Sequence, residues 1–237
     1  MNFEIIHLKE TDSTNTYAKA LLKKGELSAP FALVFADNQT KGRGRLGRNW
    51  ESREGDTLCM SLIAPYPFKP AITLLSALAV YKTLTKIYKE VKKDLKIKWP
   101  NDLVIGSKKL CGILTESTDK VAVIGIGINL NSTSFSDDIS HKATSLKLLT
   151  NKDYEAFDLA QRLTENLVNI LKETDGTFTD AFLKEYTSLC INMGREVIFS
   201  DKSGIATGVD KDGSLLVKTN EGTERISSGE VFVSGIY

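Results

Sequence analysis

The sequence predicts an α+β fold in which a mixed β-sheet domain packed with helices is followed by a small β-barrel. Short apolar runs typical of buried strands are interspersed with long amphipathic helices as far as residue 189. After residue 192, five short alternating runs follow, each separated from the next by turn-forming residues. These observations predict a boundary near residue 192, with one domain at 1–191 and a second at 192–237.

The composition is that of an ordinary globular protein. The chain has 237 residues, of which 41% are hydrophobic and 26% charged, and its net charge is +1. Cys59, Cys111 and Cys190 are expected to be buried thiols, and the two histidines, without a CxxC pair, offer little for a zinc site. The sequence shows no signal-peptide pattern and no apolar run of about 18 residues, so a cytoplasmic protein is expected.

Periodicity predicts the order of the elements. Apolar or alternating runs indicate strands at 2–8, 31–36, 57–63, 96–99, 109–114 and 121–131. Apolar residues recurring every three to four positions indicate helices at 17–24, 70–91, 153–172 and about 178–189. Pro70 suits a first helical turn, and Gly25 suits a helix end. Residues 132–142 are expected to form a polar loop.

A loop rich in glycine and arginine joins the second and third expected strands. Its sequence is Gly42-Arg43-Gly44-Arg45-Leu46-Gly47-Arg48-Asn49-Trp50. Backbone N–H groups and guanidinium forks both bind phosphate or carboxylate oxygens, so the loop is predicted to capture an anionic ligand. It is not a dinucleotide fingerprint, because no helix follows, nor a Walker A loop, because Arg48-Asn49 replaces Lys-Ser/Thr. The alternative is an exposed turn with weak affinity for nucleic acid.

A cluster of polar residues, Thr11-Asp12-Ser13-Thr14-Asn15, precedes the first expected helix. Asp12 or Ser13 is expected to cap that helix. The cluster exceeds what one cap requires, so the remaining hydroxyls and the Asn15 amide are candidates for binding a neutral polar ligand at the positive end of the helix. Capping alone is the alternative.

A lysine stands at the head of an otherwise apolar strand. Pro100 ends the strand before it, and Asn101-Asp102 can both turn the chain and offer ligand-binding oxygens. Gly106-Ser107 is predicted to form a hairpin, after which Lys109 starts the returning strand. Lys109 either serves a site or snorkels at the edge of the sheet.

The run at 121–131 is nearly continuous in its apolar residues, as expected of a strand at the centre of a sheet. Gly125 and Gly127 are predicted to lie on one face of this strand. They leave room there for a flat ligand or a crossing backbone.

Together these motifs resemble the biotin–protein ligase family. Five motifs occur in the order seen in that family: Ser13-Thr14-Asn15; Gln39 followed by Gly42-Arg43-Gly44-Arg45-Leu46-Gly47-Arg48-Asn49-Trp50; Lys98-Trp99-Pro100-Asn101-Asp102; Lys109-Leu110-x-Gly112-Ile113-Leu114-x-Glu116; and Gly125-x-Gly127-Ile128-Asn129-x-Asn131. The resemblance extends over essentially the whole chain. It implies a class II synthetase-like (biotin/lipoate ligase-like) catalytic domain followed by an SH3-like barrel.

The resemblance implies an ATP-dependent ligase that works in two steps. The carboxylate of biotin attacks the α-phosphate of ATP to give biotinyl-5′-AMP and pyrophosphate, and a lysine of a biotin carboxyl carrier protein or domain then takes the biotinyl group. Mg2+ is expected on the triphosphate. Two anions meet in the first step, so fixed cations must offset their repulsion. Lys109, Arg45 and Arg48 are the available set and are assigned to catalysis.

The resemblance, with the chemistry of the residues, also assigns the two binding sides. The biotin side comprises Ser13, Thr14, Asn15, Gln39, Gly42, Arg43, Gly44, Arg45, Lys109, Gly112 and Gly125. The ATP side comprises Arg45, Arg48, Trp50, Asn101, Lys109 and Asn129. Val233-Ser234-Gly235 stands where some members have a basic residue, which leaves a C-terminal contact with ATP open.

Some family members carry an N-terminal DNA-binding domain. Because the first motif begins at residue 11, the short form is expected, with neither DNA nor membrane as a partner; monomer and homodimer both stay open. Lipoate ligases and octanoyl transferases share the fold, but the Gly-Arg-Gly-Arg loop favours biotin. A nucleic-acid-binding module that uses the arginines and Trp50 is the alternative from another class, and the net charge of +1 counts against it.

Overall fold

A seven-stranded mixed sheet with helices on both faces forms the first part of the molecule, and a five-stranded antiparallel sheet forms the second. The computed structural model describes residues 3–118 and 120–236. The predicted α+β class is confirmed. Asn2, with which the first predicted strand begins, lies outside the described residues.

The large sheet brings together strands from the first 129 residues. In chain order they are β1 (Glu4–Thr11), β2 (Ala32–Gln39), β3 (Thr57–Ala64), β4 (Leu95–Lys98), β5 (Asp102–Ile105), β6 (Lys108–Thr118) and β7 (Val121–Asn129). Their spatial order is β1-β2-β3-β7-β6-β5-β4, in which only β1 and β2 are parallel neighbours. The hairpin predicted at Gly106-Ser107 joins β5 to β6.

The helices sort onto the two faces of this sheet. In the described part of the chain they are α1 (Thr14–Lys24), α2 (Pro70–Ile87), α3 (Leu146–Thr150), α4 (Ala156–Thr174) and α5 (Asp180–Leu189). Ala18 and Leu21 of α1 pack against Ala32 and Val34 of β2. The alternate residues of β2, which include Leu33, belong to the main core with α2 and α4.

Some element boundaries differ from the sequence-based prediction. The helix predicted at 70–91 ends at Ile87, because Tyr88 leaves the helical conformation (φ −114°, ψ 84°) and packs edge-on against Tyr154, and a 3-10 turn follows at Lys89–Val91. The predicted helices at 153–172 and 178–189 begin later, at Ala156 and Asp180. The short helix α3 was not predicted, since five residues are too few to show a helical period.

The second sheet packs against the first domain. Its strands are β8 (Glu196–Phe199), β9 (Lys202–Val209), β10 (Leu215–Thr219), β11 (Gly222–Ile226) and β12 (Val231–Val233), as five predicted short strands require. Their buried residues, such as Val197 and Leu215, belong to the same core cluster as α2. Nε1 of Trp99 donates to the carbonyl of Gly213 at 3.0 Å. No helix within residues 3–118 and 120–236 combines the length and hydropathy needed to cross a membrane.

Candidate active site

Three glycines form a flat area on the face of the sheet that α1 covers. Gly112 of β6 pairs with Gly127 of β7, and Gly125 of β7 pairs with Ser61 of β3. Paired residues, and residues two apart on one strand, share a face, so all four lie together. The prediction that Gly125 and Gly127 share a face is confirmed. Without Cβ atoms, this area allows side chains or a ligand to lie directly against the backbone.

A buried polar network lies beside this glycine area. Oγ of Ser61 lies 2.7 Å from Oγ1 of Thr14 and 2.6 Å from Oδ1 of Asn15. Oε1 of Gln39 accepts hydrogen bonds from the N–H and the hydroxyl of Thr14, at 2.8 and 3.1 Å. A Cβ at Gly125 would lie only 2.5 Å from Oδ1 of Asn15. Hydroxyl and amide groups supply both donors and acceptors, which a neutral polar ligand requires.

The prediction that Asp12 or Ser13 caps α1 is confirmed for the position of Ser13 but not for a side-chain hydrogen bond. Ser13 occupies the N-cap position with an extended backbone, but its side chain makes no capping hydrogen bond. The Asp12 carboxylate accepts from the N–H of Ser13, which precedes the helix, at 2.6 Å. Gln39 of β2 takes the first N–H of the helix, that of Thr14, instead. Ser13, Thr14 and Asn15 of the polar cluster line the site. Gly25 ends the helix with φ 68°, as predicted.

The loop at 42–50 folds over the glycine area, which the indole of Trp50 covers. A Cβ at Gly112 would lie 3.0 Å from the indole, and one at Gly127 would overlap it. Nζ of Lys109 lies 5.6 Å from the centre of the ring, within the range of a cation–π contact. Nε1 of Trp50 is buried and has no hydrogen-bond partner among the described residues. A ligand lying flat on the glycines would therefore have to replace the indole.

Arg43 connects this loop to the sheet. Its Nη2 donates to both carboxylate oxygens of Glu116, at 2.9 and 2.8 Å. Lys19 and Asn15 of α1 donate to the same carboxylate, at 2.7 and 2.8 Å. Burial raises the pKa of Glu116, but the hydrogen bonds from Lys19 and Asn15 and the charges of Lys19 and Arg43 together outweigh it, so the pKa lies below its usual value. The carboxylate is therefore charged at neutral pH.

Arg45 and Arg48 both contact the turn between β11 and β12 of the second sheet. Arg45 donates to Oδ1 of Asn101 at 3.0 Å and to the carbonyl of Gly229 at 2.9 Å. Arg48 forms an ion pair with Glu230. Burial lowers the pKa of Arg45, but a guanidinium keeps its charge in proteins. The loop thus lies between the large sheet and the second sheet.

A β-bulge turns Lys109 towards the glycine area. Asp102 pairs with Gly112, whereas Val104 pairs with Lys109, because the register shifts between Leu103 and Val104. Side chains alternate along a strand, so a regular register would direct Lys109 to the opposite face. With the bulge, its Nζ lies 2.7 Å from Oδ1 of Asp102. The ammonium therefore lies at the site and not at the solvent edge of the sheet.

These groups surround a cavity of about 50 Å³. Most of the residues assigned from the sequence line it: Ser13, Thr14, Asn15, Gln39, Arg43, Gly44, Arg45, Trp50, Asn101, Lys109, Gly112 and Gly125. Gly42, Arg48 and Asn129 do not line it. Gly42 lies beneath the carbonyl of Trp50, and Asn129 donates to the carbonyl of Thr144 at 3.0 Å. The ligand contacts assigned to all of these residues stay predictions.

Four polar residues near the cavity were not assigned to binding or catalysis from the sequence, although the oxygens of Asp102 were noted there. Asp102 and Lys98 pair across β4 and β5, and burial lowers the pKa of Lys98 while the charge of Asp102 raises it. Glu116 holds Arg43, and Ser61 joins the network around Asn15. Asp102, Lys98 and Glu116 belong to the motifs that resemble the ligase family, so their charge within those motifs could have indicated a role at the site. Ser61 lies in an apolar run without any such signal.

The three cysteines lie in the interior of the described part of the chain. Cys59, Cys111 and Cys190 are free and buried, which confirms the predicted buried thiols. Burial raises the pKa of Cys59 to about 12 and that of Cys190 to about 11. In the described part of the chain, no group of three or more His, Cys, Asp and Glu residues could hold a metal ion.

Comparison with known proteins agrees with this arrangement. Residues 8–131 match the Biotin/lipoate A/B protein ligase family, and residues 193–234 match the Biotin protein ligase C terminal domain. The bifunctional ligase/repressor BirA of Bacillus subtilis is 35% identical over 95% of this chain and 73% of its own length. The biotin–[acetyl-CoA-carboxylase] ligase of Paracoccus denitrificans is 29% identical over 96% of this chain and 100% of its own.

A solved structure shows the same architecture. The biotin protein ligase from Aquifex aeolicus in complex with biotin and ATP superposes with a TM-score of 0.84 and 31% identity, over 97% of this chain and 98% of that one. The match includes the C-terminal sheet, which confirms the predicted SH3-like second unit. The resemblance inferred from the five motifs is thus confirmed, and the chain belongs to the Biotin/lipoate A/B protein ligase family, with a biotin protein ligase C-terminal domain.

Proposed function

We propose that this chain activates biotin with ATP as biotinyl-5′-AMP and transfers the biotinyl group to a lysine of a biotin carboxyl carrier domain. One observation carries the proposal: a single cavity combines a neutral polar network, a glycine-lined sheet face and the cations of Arg45 and Lys109. The names of the relatives, which include biotin–[acetyl-CoA-carboxylase] ligases, support it. So does the related Aquifex aeolicus structure, which is described as a complex with biotin and ATP.

In the first step, a carboxylate oxygen of biotin forms a bond to the α-phosphorus of ATP. The bond from that phosphorus to the oxygen bridging to the β-phosphate breaks, and pyrophosphate leaves with the electron pair. Lys109 and Arg45 offset the repulsion between the two approaching anions. Asp102, 2.7 Å from Nζ of Lys109, orients the ammonium. Mg2+ on the triphosphate supplies further neutralisation.

Ligand entry requires the loop at 42–50 to move. The cavity of about 50 Å³ is far smaller than the roughly 300–1,000 Å³ of pockets that hold drug-sized ligands. Trp50 fills the space above Gly112 and Gly127, so biotin and the adenylate displace the indole. The loop then closes over the adenylate and keeps water from hydrolysing it.

In the second step, the amine nitrogen of the acceptor lysine forms a bond to the acyl carbon of biotin. The bond from that carbon to the phosphate oxygen breaks, AMP leaves, and the amine loses a proton. The net charge of +1 supports the expectation of neither DNA nor membrane as a partner. Three free, buried thiols support a reducing compartment such as the cytoplasm.

The test is transfer of label to a defined acceptor. The purified protein is incubated with radiolabelled biotin, MgATP and a purified biotin carboxyl carrier domain, with the same domain lacking its acceptor lysine as the control. Label should enter only the domain with the lysine, and only with ATP. A folded protein that labels neither domain, or that transfers lipoate and not biotin, would refute the proposal.

A further inference from the structure

The side-chain amide of Asn15 is fixed in one orientation by its partners. Its Nδ2 donates to Oε2 of Glu116 at 2.8 Å and to the carbonyl of Leu114 at 3.2 Å. Both groups only accept hydrogen bonds, since Glu116 is an ionised carboxylate that pairs with Lys19. A turned amide would bring its own oxygen against these two acceptors. Oδ1 of Asn15 therefore faces Oγ of Ser61, 2.6 Å away.

This orientation determines how Ser61 uses its hydroxyl. An amide oxygen only accepts, so the single hydrogen of the Ser61 hydroxyl goes to Asn15. Ser61 then has only lone pairs for Oγ1 of Thr14, which lies 2.7 Å away, and a contact this short between two oxygens requires a hydrogen. The hydroxyl of Thr14 must supply that hydrogen. The three side chains belong to residues that are 3% exposed or less.

The hydrogen of the Thr14 hydroxyl is therefore used within the protein. Its acceptors are Oγ of Ser61 at 2.7 Å and Oε1 of Gln39 at 3.1 Å, and one hydrogen can be shared between two such oxygens. Thr14 lines the cavity, so its hydroxyl offers a ligand a lone pair and not a hydrogen. A ligand group that faces Thr14 must then donate, as a ring N–H of a cyclic urea does.

We propose that Ser61 is a positioning residue that fixes the polarity of the Thr14 hydroxyl, so that the site selects a ligand whose ring presents an N–H at this point. The inference rests on the proposed function, because the ureido ring of biotin carries two such N–H groups. The hydrogen bonds all run in one direction, from Thr14 to Ser61, from Ser61 to Asn15, and from Asn15 to Glu116. The carboxylate of Glu116 thus determines, three hydrogen bonds away, what Thr14 offers to the ligand.

Two analogues of biotin test this polarity, each with one N–H of the ureido ring replaced by an oxygen atom. A ring oxygen only accepts hydrogen bonds, so where it faces Thr14 it meets another acceptor and binds weakly. In Ser61→Ala, the hydrogen of Thr14 keeps only the longer contact with Gln39 and can turn to the ligand. The preference for biotin over the analogue whose oxygen faces Thr14 should therefore fall by ~10-fold, the scale of one hydrogen bond, in dissociation constants from isothermal titration calorimetry. The preference over the other analogue should stay the same.

A double-mutant cycle separates this role from a direct contact between Ser61 and the ligand. Thr14→Val keeps the shape of the side chain and removes its hydroxyl. In that background, Ser61→Ala should change the preference less than ~2-fold, because the group that Ser61 orients is gone. An effect of Ser61→Ala that persists at ~10-fold in the Thr14→Val background would show that Ser61 itself meets the ligand, and would overturn the inference.

Ser76→Ala is the matched control. Ser76 is as buried as Ser61, and its hydroxyl donates to the carbonyl of Ile72 within α2 at 2.7 Å, so its loss should leave the preference unchanged. Ser61→Cys, whose thiol is a weak donor and acceptor, should give an intermediate preference.

The outcomes distinguish the inference from the proposed function. A parent protein that prefers biotin, with the same preference in Ser61→Ala, would overturn the inference and leave the proposed function intact. If Ser61→Ala does not fold, an unchanged preference in Ser61→Cys would overturn the inference in the same way. A folded parent protein that does not bind biotin would refute the proposed function, and the inference with it.

Discussion

At the scale of single residues, Lys109 is the side chain on which the proposed chemistry depends most. Its ammonium has a carboxylate on one side, Asp102 at 2.7 Å, and the ring of Trp50 on the other. The side chain is 28% exposed, so much of its charge acts in a partly dehydrated environment. A fixed cation in such a place stabilises charge that builds up between two approaching anions.

Lys109→Ala is expected to slow adenylate formation by ~100-fold or more, which is the scale of removing one preorganised electrostatic group. Lys109→Arg should restore only part of the rate, because a planar fork does not reproduce a compact point charge. Transfer from pre-made biotinyl-AMP should suffer less than the first step. Single-turnover formation of the adenylate measures this effect. A rate near that of the unmodified protein would mean that Lys109 has only a structural role.

Glu116 carries a prediction about pH. The pKa of Glu116 is lower in the folded protein than in the unfolded chain, so its charged interactions stabilise the fold at pH values above its unfolded pKa of about 4.3. This stabilisation is lost as the pH falls through the pKa of Glu116 in the folded protein. Glu116→Gln should reduce the free energy of unfolding by about 1 kcal/mol at pH 7, a figure kept small because the network is partly exposed. The difference between the two proteins should vanish at acidic pH.

Denaturant unfolding at pH 7 and below pH ~4 measures this difference. Glu185→Gln is the matched control, because Glu185 pairs with Lys82 at 2.7 Å but is 40% exposed. Its effect should stay below about 0.5 kcal/mol. If Glu116→Gln and the parent differ by the same amount at both pH values, the charge of Glu116 is not what holds Arg43.

At the scale of elements, the loop at 42–50 and the bulge in β5–β6 shape the site. The sequence contained enough to predict the strands, the hairpin and the shared face of Gly125 and Gly127, because these follow from alternation and turn chemistry. The bulge has no comparable local signal. Strict alternation back from Gly112 would place Lys109 on the opposite face, because the register shift between Leu103 and Val104 arises in the pairing of β5 with β6.

Local sequence patterns also did not predict where the indole of Trp50 lies. Its assignment to the nucleotide side stays a prediction, and in the structure its indole lies over Gly112 and Gly127. Only the pairing of Gly112 with Gly127 across β6 and β7 creates a surface wide enough for the ring. Such a surface comes from sheet register, which a single sequence does not reveal.

Trp50 is expected to report ligand binding through its fluorescence. The chain has two tryptophans, and Trp99 is 2% exposed and bonded to the carbonyl of Gly213, so its environment should stay constant. Biotin with ATP should change the emission of the protein, because displacement from the glycine area alters the surroundings of Trp50. Trp50→Phe should abolish the change. A change of equal size in Trp50→Phe would show that the indole is not displaced.

At the scale of the whole molecule, the second sheet completes the enclosure of the loop. Arg45 donates to Gly229 and Arg48 pairs with Glu230, although more than 180 residues separate the partners in sequence. Both sheets contribute to one core cluster, which includes Val231, the residue directly after the turn at 227–230. Sequence patterns predicted the second sheet but not this contact, because nothing in the sequence around Glu230 indicates that its side chain pairs with Arg48.

Glu230→Gln should loosen the loop in the free protein. Loss of an exposed ion pair costs at most about 1 kcal/mol, so tryptic cleavage at Arg43, Arg45 or Arg48 should accelerate by no more than ~5-fold. Biotin with ATP should remove the difference, since ligand contacts then hold the loop. Glu221→Gln, which affects a pair 3.6 Å long within the second sheet, is the control. Equal cleavage rates in Glu230→Gln and the parent would rule out this contact as a restraint.

The most direct measurement of the central claim is biotin-dependent exchange of labelled pyrophosphate into ATP. The reversible first step joins biotin to AMP and releases pyrophosphate, so it moves label into ATP without any acceptor protein. We predict exchange that requires biotin and Mg2+, is not supported by lipoate or octanoate, and falls ~100-fold in Lys109→Ala. A folded protein that shows no exchange with biotin, or that exchanges equally well with lipoate, would contradict the account.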